Sequence, residues 1–150
     1  MTTEAVVVAD TNALFRVFVQ SERRHEEHRK ALGRIGHLVV SPLVLAELDY
    51  LLTARVGAEA AANALEFIAK QADTKRFEVP DTAPHLHTAI AVMRGYPDAD
   101  QGRGVGLADA MNVALAAAYR TETVFTSDKH FRIMRPLTGR PAFRLLPDDL

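Results

Sequence analysis

The feature that most restricts the fold is an unbroken apolar run, Val6-Val7-Val8-Ala9, which ends abruptly at Asp10. Small, mostly β-branched residues without polar alternation predict a strand that is buried on both faces, as in a parallel sheet covered by helices. Apolar residues then recur at helical spacing from about Thr11 or Asn12. Asp10 is therefore expected at the carboxyl end of the first strand, at the edge where open α/β sheets bind ligands.

Short apolar runs and helical patterns continue to alternate along the chain. Further strands are predicted at residues 37–41, 75–79 and 123–126, with a fifth, edge strand at 143–146. Helices are predicted at residues 11–20, 24–36, 42–56, 58–72, 82–93 and 107–118, and a glycine-rich loop at 95–106. This order predicts an α/β fold with three α/β/α layers around a central parallel sheet of four to five strands. The length of 150 residues predicts a single domain over residues 1–150.

Four acidic residues are expected at one edge of this sheet. Asp10 and Asp128 each follow a predicted strand, whereas Glu47 and Asp109 lie in early turns of helices that leave the same edge. Glu47 also falls within the apolar stripe of its helix, so we expect its side chain to be buried. Each carboxylate alone has an ordinary explanation, as a turn residue, an ion-pair member or a partner of the helix dipole. Together they would raise each other's pKa values unless a cation neutralised them, so we predict a divalent metal site.

The composition limits which metal such a site holds. The chain has no cysteine, so the ligands must be oxygen atoms or imidazole nitrogens. Oxygen ligands favour hard cations, and a site that keeps several waters suits Mg²⁺ or Mn²⁺, which support phosphodiester hydrolysis. His25 and His28 are spaced i, i+3 among charged neighbours. We predict that they lie on a solvated helix face and bind no zinc.

Four segments around the acidic residues carry a family resemblance. They are Val8-Ala9-Asp10-Thr11-Asn12, Leu45-Ala46-Glu47-Leu48, Gly106-Leu107-Ala108-Asp109-Ala110 and Thr126-Ser127-Asp128-Lys129-His130-Phe131. In this order they resemble the signature blocks of PIN-domain ribonucleases, most closely VapC-type toxins. The resemblance implies a PIN fold, Mg²⁺- or Mn²⁺-dependent endoribonuclease activity on RNA, inhibition by a cognate VapB-type antitoxin, and homodimerisation. By motif position, Asp10, Glu47, Asp109 and Asp128 match the acidic quartet, and Asn12 and Thr126 match polar positions that support it.

Charge and hydropathy restrict which partners the protein can bind, but they do not decide between nucleic acid and other partners. The net charge of −1 gives no indication of nucleic-acid binding, which usually requires an excess of basic residues. Basic residues nevertheless cluster in two stretches, at Arg23, Arg24, Arg29, Lys30 and Arg34 and at Lys129, Arg132, Arg135, Arg140 and Arg144. Either these are positive patches for a phosphate chain beside the acidic site, or they form a salt-bridged surface. No apolar run reaches the roughly 20 residues of a membrane helix and no signal peptide is evident, so we expect no membrane anchor and a cytoplasmic location.

Three other functions are alternatives to the nuclease, and the first two require residues that this chain lacks. An aspartyl phosphatase requires a second aspartate two residues after the first, where this chain has Asn12. A phospho-receiver module collects acids and a lysine at strand ends, and Lys129 could supply that lysine. It also requires a phosphorylatable aspartate after the third strand, where Val79-Pro80 stands. A PIN-like or receiver-like module that binds metal and a partner without cleaving RNA is the remaining alternative.

Overall fold

The computed structural model describes residues 4–150, whose strands form one parallel sheet. The strands are β1 (Glu4–Ala9), β2 (Ile35–Val39), β3 (Phe77–Glu78), β4 (Thr123–Phe125) and β5 (Arg144–Leu146). Their order in the sheet is β3-β2-β1-β4-β5, and every neighbouring pair is parallel. In the register, Val8 of β1 lies opposite Val39 of β2 on one side and Val124 of β4 on the other. The predicted α/β class and the five-stranded parallel sheet are confirmed.

Helices cover both faces of the sheet. They are α1 (Thr11–Phe18), α2 (His25–Gly33), α3 (Pro42–Arg55), α4 (Ala58–Asp73), α5 (Leu86–Gly95), α6 (Leu107–Ala118) and α7 (His130–Ile133). Helices α1 to α4 pack with Val7 and Ala9 in one apolar cluster, whereas α5, α6 and α7 pack with Val8 in another. Because β1 points side chains into both clusters, its residues from Val7 to Ala9 are fully buried. This explains why the sequence of β1 is apolar without alternation.

The strand order fixes where a ligand can bind. The chain runs outward from β1 through β2 to β3 on one side, and then returns to place β4 and β5 on the other side of β1. The connections therefore diverge between β1 and β4, and a crevice forms outside the carboxyl ends of these two strands. The backbone amide of Asp10 donates to the carbonyl oxygen of Phe125 at 2.9 Å. Asp10 is thus anchored to β4 at the start of this crevice.

Several element boundaries differ from the prediction. Strand β2 begins at Ile35, within the predicted helix 24–36, because the Ile35 side chain is buried against the sheet and pairs with Glu4 of β1. Helix α1 ends at Phe18 because Val19 has extended backbone angles, with φ of −113° and ψ of 101°. Strand β3 has only two residues, and a 3₁₀ turn at Ala83–His85 precedes α5. Residues 96–106 form turns without regular structure, as predicted for the glycine-rich loop.

The prediction of a solvated face for the two histidines of α2 is wrong for His28. Its side chain is fully buried, and its Nδ1 and Nε2 atoms lie 2.8 Å from the Arg24 carbonyl oxygen and 3.1 Å from the Ser127 hydroxyl. Burial lowers the pKa of His28, which favours the neutral ring. The Nδ1 atom of His25 lies 2.7 Å from the carbonyl oxygen of Arg16. Both histidines therefore make contacts within the fold. Over residues 4–150, no helix is long and apolar enough to cross a membrane.

Candidate active site

The four acidic residues selected from the sequence line one pocket of about 550 Å³ at the crevice. Asp10 directly follows β1 and caps α1, because its Oδ1 atom accepts a hydrogen bond from the Thr11 amide at 2.8 Å. Asp109 lies in the first turn of α6, and Glu47 lies in the second turn of α3. Asp128 lies in the turn between β4 and α7. Four separate elements therefore bring one carboxylate each to the same pocket.

Asp10 forms the buried part of this pocket, with 4% of its surface exposed. Burial, together with the nearby charges of Asp109 and Asp128, raises the pKa of Asp10 to about 7. Hydrogen bonds from the Thr126 hydroxyl and the Thr11 amide act in the opposite direction, because they stabilise the ionised carboxylate. The balance leaves the negative charge of Asp10 poorly compensated by the protein.

Asp109 and Asp128 share a histidine that the sequence argument did not assign. The Nδ1 atom of His130 lies 3.5 Å from Oδ2 of Asp109 and 3.4 Å from Oδ1 of Asp128. Burial and the charge of Asp128 raise the pKa of Asp109 to about 6, and Glu47 adds a smaller repulsion. His130 acts against these effects. The carboxylates are therefore close enough to influence one another's ionisation.

Asn12 and Thr126 join the first strand to the turn that carries Asp128. The Thr126 hydroxyl donates to Oδ2 of Asp10 at 2.7 Å and accepts from the backbone amide of Asp128 at 2.9 Å. The Oδ1 atom of Asn12 accepts from the backbone amide of Ser127 at 3.0 Å. These bonds hold the ends of β1 and β4 in a fixed relation. Asn12 and Thr126 thus make the kind of contacts expected of supporting residues.

Asn112 fixes the helix that carries Asp109. It is buried one turn after Asp109, and its Nδ2 atom donates to the carbonyl oxygen of Ala9 at 3.1 Å. A bond from the side chain of α6 to the last residue of β1 sets the distance between helix and strand. Asp109 is therefore held beside Asp10 by a contact outside the pocket.

The donor atoms of the pocket fit a divalent cation. One ligand atom from each of Asp109, Asp128 and His130 lies within 4.8 Å of the others. Carboxylate oxygens are preferred by Mg²⁺ and Mn²⁺, and Asp10 and Glu47 line the same pocket. Within residues 4–150, neither lysine nor arginine forms a salt bridge with any of these four acids. The pocket therefore holds negative charge that no lysine or arginine compensates, which is the condition that favours binding of a cation.

Comparison with known proteins identifies the family. The sequence profile of the PIN domain matches residues 7–135. The chain belongs to the PIN-domain family. A curated relative, Ribonuclease VapC26 of Mycobacterium tuberculosis (strain ATCC 25618 / H37Rv), is 37% identical over 136 residues, which cover 89% of this chain and 95% of the relative. This PIN-domain protein is therefore a homologue of the VapC-type ribonucleases, and the resemblance seen in the four sequence blocks is confirmed.

Solved structures agree with this fold. VapC20 of Mycobacterium tuberculosis, described as a Sarcin-Ricin loop cleaving toxin, superposes with a TM-score of 0.72 at 20% identity and covers 90% of this chain and 99% of its own. VapBC2 of Rickettsia felis, solved with a DNA fragment from its promoter, gives a TM-score of 0.60 at 18% identity, with coverages of 88% and 95%. A toxin-antitoxin complex from Klebsiella pneumoniae gives 0.58 at 20% identity, with coverages of 90% and 92%. At these identities the likeness concerns the PIN fold.

Glu47 of this PIN-domain protein is not buried, contrary to the prediction. Its side chain is exposed at the mouth of the pocket, and its Oε1 atom accepts a hydrogen bond from the Thr11 hydroxyl at 2.6 Å. The buried positions of α3 are Val44, Leu48 and Leu52. The predicted apolar stripe included positions outside the buried side of α3, because this side packs against α1 and α4 whereas the adjacent side, with Glu47 and Tyr50, lines the pocket.

Sequence reasoning missed two residues of the site, Thr11 and His130. A signal existed for His130, because it stands two residues after Asp128 in a turn that was already assigned to the crevice. The short helix α7 begins there and directs the ring back towards Asp109. Thr11 had no such signal, since its contact with Glu47 joins positions 36 residues apart.

Proposed function

We propose that this VapC-type protein is an endoribonuclease that hydrolyses RNA phosphodiesters in the acidic pocket with Mg²⁺, or with Mn²⁺ in its place. The observation that carries the proposal is the convergence of four carboxylates that have no lysine or arginine partner within residues 4–150. An acidic pocket of this kind repels RNA unless a cation neutralises it. Metal dependence and action on a phosphodiester are therefore linked.

The residues have different proposed tasks. Asp10, Asp109 and Asp128 would hold the cation, and His130 lies close enough to complete its ligands. When bound, a divalent cation lowers the pKa of water and polarises the phosphodiester. The exposed carboxylate of Glu47, held by the Thr11 hydroxyl, is placed to accept a hydrogen bond from the attacking water.

The chemistry that follows is a hydrolysis. Water adds its oxygen to phosphorus, one phosphorus–oxygen ester bond breaks, and the products are a phosphate monoester and a hydroxyl end. The proton that water gives up is balanced by the proton that the leaving oxygen takes up to become a hydroxyl, and both can exchange with solvent at the open side of the pocket, where Glu47 is exposed. Hydrogen bonds from Thr126 and Thr11 keep Asp10 in place throughout, because both of its carboxylate oxygens are engaged.

We also propose that the protein is the toxin of a toxin-antitoxin pair, restrained by a VapB-type antitoxin, and that it acts as a homodimer of single-domain chains in the cytoplasm. Support for the antitoxin comes from relatives whose solved structures are described as VapBC or toxin-antitoxin complexes. Sedimentation of the isolated protein at micromolar concentration tests the homodimer. A monomer at that concentration contradicts it.

The experiment that tests the nuclease incubates purified protein with total cellular RNA, with Mg²⁺, with Mn²⁺ and with EDTA. New RNA ends are then mapped by sequencing. We expect defined internal cuts that require the metal and that disappear in Asp10→Asn. Cleavage that resists EDTA, or that persists at full rate in Asp10→Asn, refutes the proposal. Metal binding without any cleavage instead favours the non-cleaving module.

A further inference from the structure

The two basic stretches of the sequence meet in a cleft beside the acidic pocket, which we call the basic cleft. It has a volume of about 620 Å³ and is lined by five cationic side chains and two carboxylates. The cations are Arg16, Arg23, Arg24, Lys129 and Arg132, and the carboxylates are Asp128 and Asp148. Because the whole chain carries a net charge of −1, the basic cleft is a local concentration of positive charge.

Two of the five cations are already paired. Arg24 forms a salt bridge with Asp148 across the cleft, and Arg132 donates two hydrogen bonds to Asp149 at 2.8 Å each. These pairs account for one residue of each basic stretch, since they join Arg24, just before α2, and Arg132 of α7 to the C-terminal residues. Arg24 and Arg132 are therefore walls of the cleft, with most of their charge compensated locally.

The other three cations are available to an anion. Within residues 4–150, Arg16, Arg23 and Lys129 take part in no salt bridge with a carboxylate. Arg23 and Lys129 are exposed at the mouth of the cleft, and Arg16 is half-buried at its base. Since an arginine has five donors and a lysine three, these residues offer more hydrogen bonds than the protein uses. Such unsatisfied donors are suited to phosphate oxygens.

The base of the basic cleft is built into the same network as the acidic pocket. One guanidinium nitrogen of Arg16 donates to the Ser127 hydroxyl at 3.0 Å, and the buried His28 ring contacts the same hydroxyl. The backbone amide of Ser127 is in turn bonded to Asn12, and the next residue, Asp128, lines both the pocket and the cleft. Arg16 is therefore held at a fixed distance from the acidic residues.

We propose that the basic cleft binds phosphate groups of the RNA strand next to the phosphate that lies in the acidic pocket. This inference rests on the proposed nuclease function and extends it by naming where the neighbouring part of the substrate binds. A polyanion is repelled by four carboxylates, so cations beside them are needed to attract and position the strand. Arg16, Arg23 and Lys129 provide these contacts, and Asp128 marks the boundary between the two parts of the site.

The test measures binding in a background that cannot cut the RNA. A fluorescein-labelled, single-stranded RNA of mixed sequence is titrated with Asp10→Asn protein in Mg²⁺, at several salt concentrations. The comparison is with the same protein carrying Arg23→Gln and Lys129→Gln. Two lost phosphate contacts should reduce the slope of log K against log salt by about 1.4, since each contact to a single strand contributes about 0.7. Between 50 and 200 mM salt, the unsubstituted background should thus weaken about 7-fold more than the variant.

A matched control removes the same charge elsewhere. Lys30 and Arg94 are exposed, line neither the basic cleft nor the acidic pocket, and form no salt bridge within residues 4–150. The double substitution Lys30→Gln and Arg94→Gln should leave the salt slope within about 0.3 of the background, because no phosphate contact is lost. An equal reduction by this control and by the cleft variant overturns the proposal, since the effect would then come from net charge.

Two further outcomes separate this inference from the proposed function. If the protein with intact Asp10 cleaves RNA but the cleft variant keeps the full salt slope, the nuclease function stands and the basic cleft is not its phosphate subsite. If no cleavage occurs but the slope still falls as expected, the cleft binds RNA and the nuclease proposal fails. A last competitor is a polyglutamate peptide whose charge equals that of the RNA. If this peptide displaces the labelled RNA as effectively as unlabelled RNA does, the inference is overturned, because the cleft would then fit an acidic protein partner.

Discussion

Replacement of the buried carboxylate Asp10 by asparagine should stabilise the metal-free protein, and the gain should grow with pH. The pKa of Asp10 is raised from 3.8 to about 7 in the folded protein, chiefly by burial. Between these two values the folded state keeps a proton that the unfolded state releases, so stability falls as pH rises. The whole shift corresponds to about 4 kcal/mol above pH 7, and roughly 2 kcal/mol of it develops between pH 5 and pH 7.

The geometry indicates that asparagine fits the same place. The Thr11 amide can still donate to its side-chain oxygen, and the Thr126 hydroxyl can turn to accept from its amide group and to donate towards Asn12, whose Oδ1 atom is 3.4 Å away. The substitution therefore removes the cost of a buried charge and keeps hydrogen bonds to the Thr11 amide and the Thr126 hydroxyl.

The assay is urea unfolding in EDTA at about pH 5 and about pH 8, for the unsubstituted protein, Asp10→Asn and the control Asp73→Asn. Asp73 is exposed and should leave the pH dependence unchanged. We expect the unsubstituted protein to lose about 3 kcal/mol more than Asp10→Asn between the two pH values. Equal losses, or an Asp10→Asn protein that is less stable than its parent at pH 8, would refute the account of a poorly compensated buried carboxylate.

Three further substitutions test separate parts of the structure. Glu47→Gln should abolish RNA cleavage while changing the free energy of unfolding by less than about 1 kcal/mol, because Glu47 is exposed and makes one hydrogen bond; a loss of several kcal/mol would mark it as structural. His130→Asn should reduce the stabilisation by saturating Mn²⁺, measured as a smaller rise in Tm, if the ring completes the metal ligands; an unchanged rise contradicts that task. His28→Ala should cost about 2 to 4 kcal/mol in urea unfolding, since it leaves a cavity and an unpaired Ser127 hydroxyl under α2. A cost under about 1 kcal/mol would show that the neighbouring side chains close the cavity without penalty.

The central strand and the shared edge of the acidic residues were predictable because both depend on local pattern and on a general property of parallel sheets. A strand that is buried on both faces has an uninterrupted run of apolar residues, which few other elements have. Asp10 directly follows such a run. Once the sheet is parallel, residues after its strands and in the first turns of its helices must share one edge. The positions of Asp109 and Asp128 in the pocket followed from this rule without any distance being known.

The features that were missed depend on contacts between distant parts of the chain. The ring of His28 is buried and contacts the hydroxyl of Ser127, which lies 99 residues later in the chain. No property of the α2 sequence alone predicts that contact. Ile35 leaves the helical pattern because β1 offers it a place in the sheet. The exposure of Glu47 reflects which side of α3 faces the crevice. The basic cleft likewise forms because α1, the turn before α2 and helix α7 converge beside Asp128. The catalytic assignment of Asp10, Glu47, Asp109 and Asp128 stays a prediction.

The claim that the acidic pocket binds a divalent cation is tested most directly by locating that cation. Crystals of the protein soaked in Mn²⁺ would be measured at the manganese absorption edge, where anomalous scattering identifies the ion. We predict a peak inside the acidic pocket, with carboxylate oxygens of Asp109 and Asp128 at about 2.1 Å and Asp10 bound directly or through one water. A well-ordered pocket without a peak at saturating Mn²⁺, or a peak held by other residues only, would contradict it.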